Sequence, residues 1–547
     1  MQRRIIVLER IKDAIVHPLG FAVFPVLSLY VKNMGKGLLG EAALITAGVL
    51  VVAVLLWLCA SLLVKDKRKS AIIVSVFLLL FFSYGHIVPA LSGWLQRIRW
   101  LDEAGLFVTG TGADPIWIVV WGILFAVAVY LVVRSSGDLR QATNFLNIVA
   151  LALVATVGIR LVAGGANMFL IPRIRPRANE GDTADEGYQT RAVEFIDSWM
   201  EGGTPEDANT SSSASPDIYY VILDMYARGD VLDRVYHFDN SEFLSFLADR
   251  GFYVANRSRS NYPHTTHSLA SSLNLTYLDA VAAQVGERST NFWPLIVMIR
   301  NNKVMELLHN HGYTTMAFST GYGFTEIRDA DVYMQLPGRP PSDFQITLTN
   351  LTPLAVFEKQ RQDNFSREQI LYTIDHLSDA IEIEAPTFVF AHVPAPHPPY
   401  VFGASGEPVP SRPGEAYTHA EHLAAYTDQL AFVSKRLEAE IDEILSQSSE
   451  PPIIVLQADH GASFARQTNN PASHFPERMS IFNAYYFPDQ DYGTLYEDIT
   501  PVNTFRVIFN AYFGTDYEMI EDRSYSSDYW NSPYLFRDVT DKALRNE

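Results

Sequence analysis

Five apolar stretches crowd the first 165 or so residues, near Ala14 to Val31, Leu38 to Val64, Ala71 to Leu91, Pro115 to Val133 and Phe145 to Ala163. Each is close to the roughly 20 residues that cross a bilayer's hydrocarbon core, so an N-terminal helical transmembrane bundle of about five spans is expected. The first stretch is broken by Pro18, Gly20 and Pro25, and lying in the membrane interface is its alternative. Further spans follow it and no small-residue cleavage site stands out, so a cleaved signal peptide is not expected.

Basic residues set the expected orientation. Arg3, Arg4, Arg10 and Lys12 precede the first stretch, Lys65, Lys67, Arg68 and Lys69 separate the second from the third, and Arg134 and Arg140 separate the fourth from the fifth. These segments are expected to face the cytoplasm, which places everything after Ala163 outside. The opposite loops carry Lys32 and Lys36, then Arg97 and Arg99. Arg173, Arg175 and Arg177 run against the rule, and anionic head groups on the outer face would accommodate them. The spans hold few charges, Glu41 and Arg160 lying near segment ends, so no ion pathway is evident.

The rest of the 547 residues is mixed in character and carries most of the acidic side chains. A formal net charge of −19 leaves no basic face for phosphate backbones, so no nucleic-acid partner is expected. The single cysteine, Cys59, excludes a disulfide framework within one chain. The chain divides on composition into a transmembrane part, 1–165, a polar linker, 166–216, ending in ANTSSSASP, and a globular part, 217–547.

Within the globular part, Ile453 to Leu456 is a continuous apolar run of the kind found in strands covered on both faces, and it leads into Asp459, His460 and Gly461. Ligands of open α/β sheets gather at strand carboxyl ends, and an Asp oxygen beside a His nitrogen suits Zn²⁺ or Mn²⁺. The plain alternative is an ordinary polar turn. Ile218 to Leu223 repeats the pattern and ends in Asp224, for which helix capping is the alternative. Arg259 to Asn274, RSNYPHTTHSLASSLN, reads as a loop entering a helix near Ser268, an anion site with a hydroxyl nearby. Thr265 or Thr266 is a candidate nucleophile there, capping being the alternative. PTFVFAHVPAPHPPY presents His392 and His397 on a proline-stiffened loop, a helix is expected over Ala420 to Leu445, and NNPASHFPERM supplies His474.

Taken in this order, the motifs resemble the alkaline phosphatase and sulfatase superfamily, and in architecture its membrane branch, which includes lipoteichoic acid synthase and lipid A phosphoethanolamine transferases. The resemblance covers about residues 217 to 515. It implies an α/β sulfatase-like domain with a central mixed, mostly parallel sheet flanked by helices. It also implies metal ligation by Asp224, Thr265, Asp459 and His460, with Thr265 as nucleophile, Ser268 as its matching serine, and His397 and His474 on the substrate side. Thr266 is the less favoured register. The first strand offers one Asp where sulfatases have a pair, which leaves one or two divalent ions, Mn or Zn. The Cys/Ser-x-Pro-x-Arg context for formylglycine is absent, which favours phosphoryl over sulfate-ester chemistry.

The expected activity is a multi-pass, metal-dependent phosphotransferase or phosphodiesterase of the plasma or inner membrane, its catalytic domain extracytoplasmic. It would move or hydrolyse a phosphoglycerol- or phosphoethanolamine-type head group on a phospholipid or glycan through a covalent threonine. Its rivals are a sulfatase-like ester hydrolase and a non-catalytic scaffold for cell-envelope polysaccharide assembly, which would bind no metal.

Overall fold

A computed structural model describes residues 14–32, 39–95, 116–169, parts of 191–198, 215–337, 343–412, 417–462 and 474–544. They form two compact units, one drawn from residues up to 178 and from 341–361, the other from 179–340 and 362–547.

The first unit holds five long helices, His17–Lys32, Leu39–Val64, Lys67–Leu95, Ile116–Arg134 and Arg140–Phe169, where the five apolar stretches stand. The last four are long and apolar enough to cross a membrane. Their outer faces carry bare aliphatic side chains, Leu62 at 77% and Leu63 at 82% exposure among them, which lipid rather than water would cover. The 16-residue first helix is short for a span and buries Phe21, Ala22 and Val26. Asn147 holds its start: its Oδ1 accepts from the Val16 and His17 amides, both at 3.0 Å, and its Nδ2 donates to the Ala14 carbonyl.

Two of the basic connections lie side by side. Arg68 pairs with Asp138 at 3.2 Å, and Lys69 donates to the carbonyls of Val133 and Ser135, as loops on one face of a bundle should. Arg3, Arg4, Arg10, Lys12, Lys36, Arg97, Arg99, Arg173, Arg175 and Arg177 lie outside the described residues. Residues 341–361 belong with this unit although 171 residues, 170–340, separate them from the last of its long helices in sequence. Their helix Asp343–Asn350 buries Phe344 and Leu348 among Phe21, Val26, Leu78 and Phe82. The Gly85 amide donates to the Leu351 carbonyl at 3.1 Å, an approach open only to glycine, because a Cβ there would lie 2.1 Å from the Asn350 carbonyl oxygen.

The second unit is built on a seven-stranded sheet. Its strands are β1 (Ile218–Leu223), β2 (Tyr253–Val254), β3 (Thr314–Phe318), β4 (Val332–Met334), β5 (Thr387–Val393), β6 (Ile453–Gln457) and β7 (Asn483–Tyr486), in the order β2-β7-β6-β1-β5-β3-β4. Pairings among β6, β1, β5, β3 and β4 are parallel, and those of β7 with β6 and β2 are antiparallel. This is the expected mixed, mostly parallel sheet. Strands β1, β5 and β6 are buried throughout because the two-residue period sends alternate side chains into separate apolar layers. Tyr219, Val221 and Leu223 join one layer, Ile218, Tyr220 and Ile222 the other. A two-stranded hairpin, β8 (Tyr525–Asp528) with β9 (Ser532–Asp538), stands apart from the sheet.

A polar network is sealed beneath the second layer. Tyr220 donates to Gln457 Oε1 at 2.8 Å, and Gln457 Nε2 donates to Asn483 Oδ1 at 3.0 Å and Thr504 Oγ1 at 2.8 Å. Asn483 continues it to Ser258 and Tyr485, and the Tyr220 hydroxyl also reaches Ser272 at 3.3 Å. Replacing Gln457 with Leu would strip partners from Tyr220, Asn483 and Thr504 at once. Tyr220 keeps Ser272 and Thr504 keeps Tyr485, so Asn483 Oδ1 is the group left bare and a loss of about 1–3 kcal/mol is expected. Thermal unfolding of the Gln457→Leu protein against wild type measures it.

Candidate metal centre

The three central strands end in the residues that matter. Asp224 directly follows β1, its amide continuing the ladder to the Val393 carbonyl at 3.0 Å. His392 is the penultimate residue of β5, opposite Ile222, and Asp459 and His460 lie just past β6. Parallel pairing in this register brings the three ends to one edge of the sheet.

All four side chains are buried, from 0% exposure at His392 to 2% at Asp224 and His460. Asp459 Oδ1 is occupied, accepting from the His460 amide at 2.9 Å and the Met225 amide at 3.3 Å. Met225 holds φ at 67°, a left-handed conformation uncommon outside glycine, and this turns its amide onto Asp459. The facing atoms are left over: among the described residues, Asp224 Oδ1, Asp459 Oδ2 and His392 Nε2 have no hydrogen-bond partner. Asp224, His392 and Asp459 each offer a ligand atom within 4.8 Å of the others. His460 Nε2 approaches the same carboxylates, 3.4 Å from Asp459 Oδ2 and 3.7 Å from Asp224 Oδ1. Orphaned carboxylate oxygens facing imidazole nitrogens in a buried pocket are a donor set that fits zinc or manganese.

Thr265 closes the site. It is the first residue of the helix Thr265–Ser272, which starts three residues earlier than expected because His264 is already extended, at φ −139° and ψ 136°. Thr265 Oγ1 lies 3.3 Å from His460 Nε2 and is half-buried, open to a substrate. Thr266 instead points to the Tyr529 hydroxyl at 3.3 Å. Ser268 lies one turn on, buried, with no partner for its Oγ among the described residues. His397 is half-buried beside Asp224: its amide donates to the Asp224 carbonyl at 3.0 Å, and Gln429 on the helix His419–Gln447 donates to its carbonyl. His474 opens the helix His474–Met479, but its side chain lies outside the described residues.

Two participants do not follow from sequence motifs. His392 was legible only as a residue on a stiff loop, yet its ring faces Asp224 at 3.5 Å, with Nδ1 3.2 Å from Thr325 Oγ1. Arg478, four residues beyond His474, reaches His460 Nε2 with Nη2 at 3.1 Å.

The electrostatics follow from two carboxylates sharing one dry pocket. Burial, and then the neighbouring Asp224 charge, push Asp459 up to about 7. Burial opposes ionisation of Asp224 too, but His397 and then His392 outweigh it and hold that carboxyl below its usual range. Burial and Arg478 hold His460 well below its ordinary value, so its ring is neutral and able to donate a lone pair.

Compared with known proteins, the sequence matches no protein-family description and no curated protein. It is similar to several solved structures. The integral membrane lipooligosaccharide phosphoethanolamine transferase A (EptA) from Neisseria meningitidis is 12% identical, covering 91% of this chain and 95% of its own, with a TM-score of 0.38. The C-terminal periplasmic domain of EcEptC from Escherichia coli, in complex with Zn, is 13% identical over 63% of this chain and 99% of its own, at 0.43. The putative sulfatase yidJ from Bacteroides fragilis is 11% identical over 60% of this chain and 84% of its own, at 0.37.

A metal must displace the proton that Asp459 keeps below about 7, so zinc affinity is expected to fall as pH drops through that value, with proton release on binding. Calorimetry in buffers of different ionisation enthalpy counts the proton; a pH-independent affinity contradicts the donor set. In the metal-free protein the same shift acts oppositely on stability. Folded Asp459 binds its proton more tightly than unfolded, so its contribution is present at low pH and lost as pH rises through about 7. Gly461 offers a second check, since a Cβ there would sit 2.4 Å from the Glu477 carbonyl oxygen and 2.6 Å from that of Ser480. Gly461→Ala is expected to displace His460 and weaken zinc binding about 10–100-fold, as loss of a ligand's support usually does.

Proposed function

We propose that this chain is a membrane-anchored, metal-dependent phosphotransferase or phosphodiesterase that acts outside the cytoplasm. Its substrate would be a phosphoglycerol- or phosphoethanolamine-type head group on a lipid or glycan. The observation that carries this reading is the approach of Thr265 Oγ1, half-exposed at a helix start, to His460 Nε2 at 3.3 Å, beside two buried carboxylates. Apolar helices in the same chain support a substrate at the bilayer, and the basic connections support an outward orientation.

One or two zinc or manganese ions would be held by Asp224, Asp459, His460 and Thr265, with His392 as a further donor, and would offset the charge that develops in phosphoryl transfer. Thr265 Oγ1 gives up its proton to water and forms a bond to phosphorus as the bond to the leaving alcohol breaks. The neutral His460 ring and the Met225 amide keep Asp459 and the hydroxyl in register. His397, or His474, protonates the departing oxygen. Water or an acceptor hydroxyl then attacks the phosphothreonine and returns Thr265 to its starting state.

The test uses full-length protein in detergent with Zn²⁺ or Mn²⁺ and either phosphatidylethanolamine or phosphatidylglycerol, followed by intact mass and peptide mapping. A head-group phosphate on Thr265, absent from Thr265→Ala, is the expected result, and its mass identifies the donor class. Metal-loaded wild type that forms no adduct with either donor contradicts the reading and favours a scaffold.

A further inference from the structure

Arg478 is a half-buried cation whose hydrogen bonds, among the described residues, run to neutral groups. Its Nε donates to the Pro263 carbonyl at 2.8 Å, its Nη1 to the Gly461 carbonyl at 3.1 Å, and its Nη2 lies 3.1 Å from His460 Nε2. Among the described residues no carboxylate forms an ion pair with it. Asp459, Asp224 and Glu477 act on it only from beyond ion-pair distance, and a guanidinium removed from water without a directly paired anion is costly, so proteins keep such groups where an anion completes them.

Its anchors say where that anion would be. Pro263 stands two residues before Thr265 and Gly461 directly after His460, so Arg478 bridges the two segments that bring nucleophile and ligand together. Among the described residues, two of its five N–H groups have no hydrogen-bond partner and can serve a ligand. The third contact is provisional, because a lone pair of His460 Nε2 given to a metal is no longer available to Nη2. That same nitrogen is 3.3 Å from Thr265 Oγ1, so a single imidazole atom separates the cation from the nucleophile. The whole chain carries a net charge of −19, so a local cation favours holding an anionic group here.

We propose that Arg478 is an oxyanion-binding residue of this centre, donating from Nη2 to a non-bridging oxygen of the tetrahedral group that Thr265 attacks. The assignment rests on the phosphoryl-transfer reading above, and it adds an anion subsite to the ligand cluster. The planar fork suits such a group, and the two carbonyls aim it before the substrate arrives.

The probe is inorganic phosphate, titrated calorimetrically into zinc-loaded full-length protein, with zinc content and thermal unfolding followed in parallel. Arg478→Gln is expected to weaken phosphate binding about 100-fold with zinc retained, the loss of a charge-assisted pair. Arg478→Lys keeps a charge but loses the fork, and is expected to weaken it about tenfold; this variant decides if the glutamine protein does not fold. Phosphate affinity within about twofold of wild type in a folded, zinc-retaining variant overturns the proposal. So does loss of zinc together with phosphate in both variants, which would make Arg478 a clamp between two loops. Wild type that binds phosphate but forms no Thr265 adduct defeats the transfer reading and leaves this assignment standing. Wild type that binds no phosphate defeats the assignment whatever the adduct shows.

Discussion

Two carboxylates buried side by side, Asp224 and Asp459, are the constraint that the second unit answers. Removing either charge from water costs several kcal/mol, and placing them together adds repulsion that a low-dielectric pocket cannot screen. Only positive charge or protons relieve it. The surroundings supply both kinds of relief: the His392 ring and the Arg478 guanidinium on one hand, and a proton held on Asp459 up to about pH 7 on the other. The arrangement is unfavourable for folding alone and is retained because strands β1 and β6 leave the acids nowhere else to point.

Rigidity comes from below. The Gln457 and Asn483 network fixes β6 against β7 and reaches Ser272 at the end of the helix that Thr265 begins. Thr265 and the candidate ligands are therefore mounted on elements that share one set of buried hydrogen bonds, and a fully satisfied network of this kind holds a single geometry. The left-handed turn at Met225 fits the same pattern, local strain spent on aiming one amide at Asp459.

What was legible in the sequence follows the range of the forces involved. Strands β1 and β6 and their terminal acids could be read because a strand buried on both faces must be apolar at every position, a local signal. The helices of the first unit could be read for the same reason. His392 could not be assigned, since its role depends on parallel pairing with β1, more than 160 residues away in the chain. Arg478 gave no signal either: an arginine in a polar stretch is normally solvated, and only the folded loops bring it to His460. The helix start at Thr265 was displaced in the reading because TTHS caps as readily as it continues a helix.

Residues 341–361 were the least legible of all, since QITLTN is unremarkable in a globular domain and its partners are helices near the other end of the chain. Their place in the first unit bears on how the protein can be taken apart. The chain passes between the units near residues 178, 340 and 361, not once. A protease cutting in the polar linker would therefore leave both parts covalently joined, and release of the second unit by a single cleavage is closed off. A fragment begun at residue 217 would carry Phe344 and Leu348 without the helices that cover them, so the boundary that composition draws is not one at which the molecule can be severed cleanly.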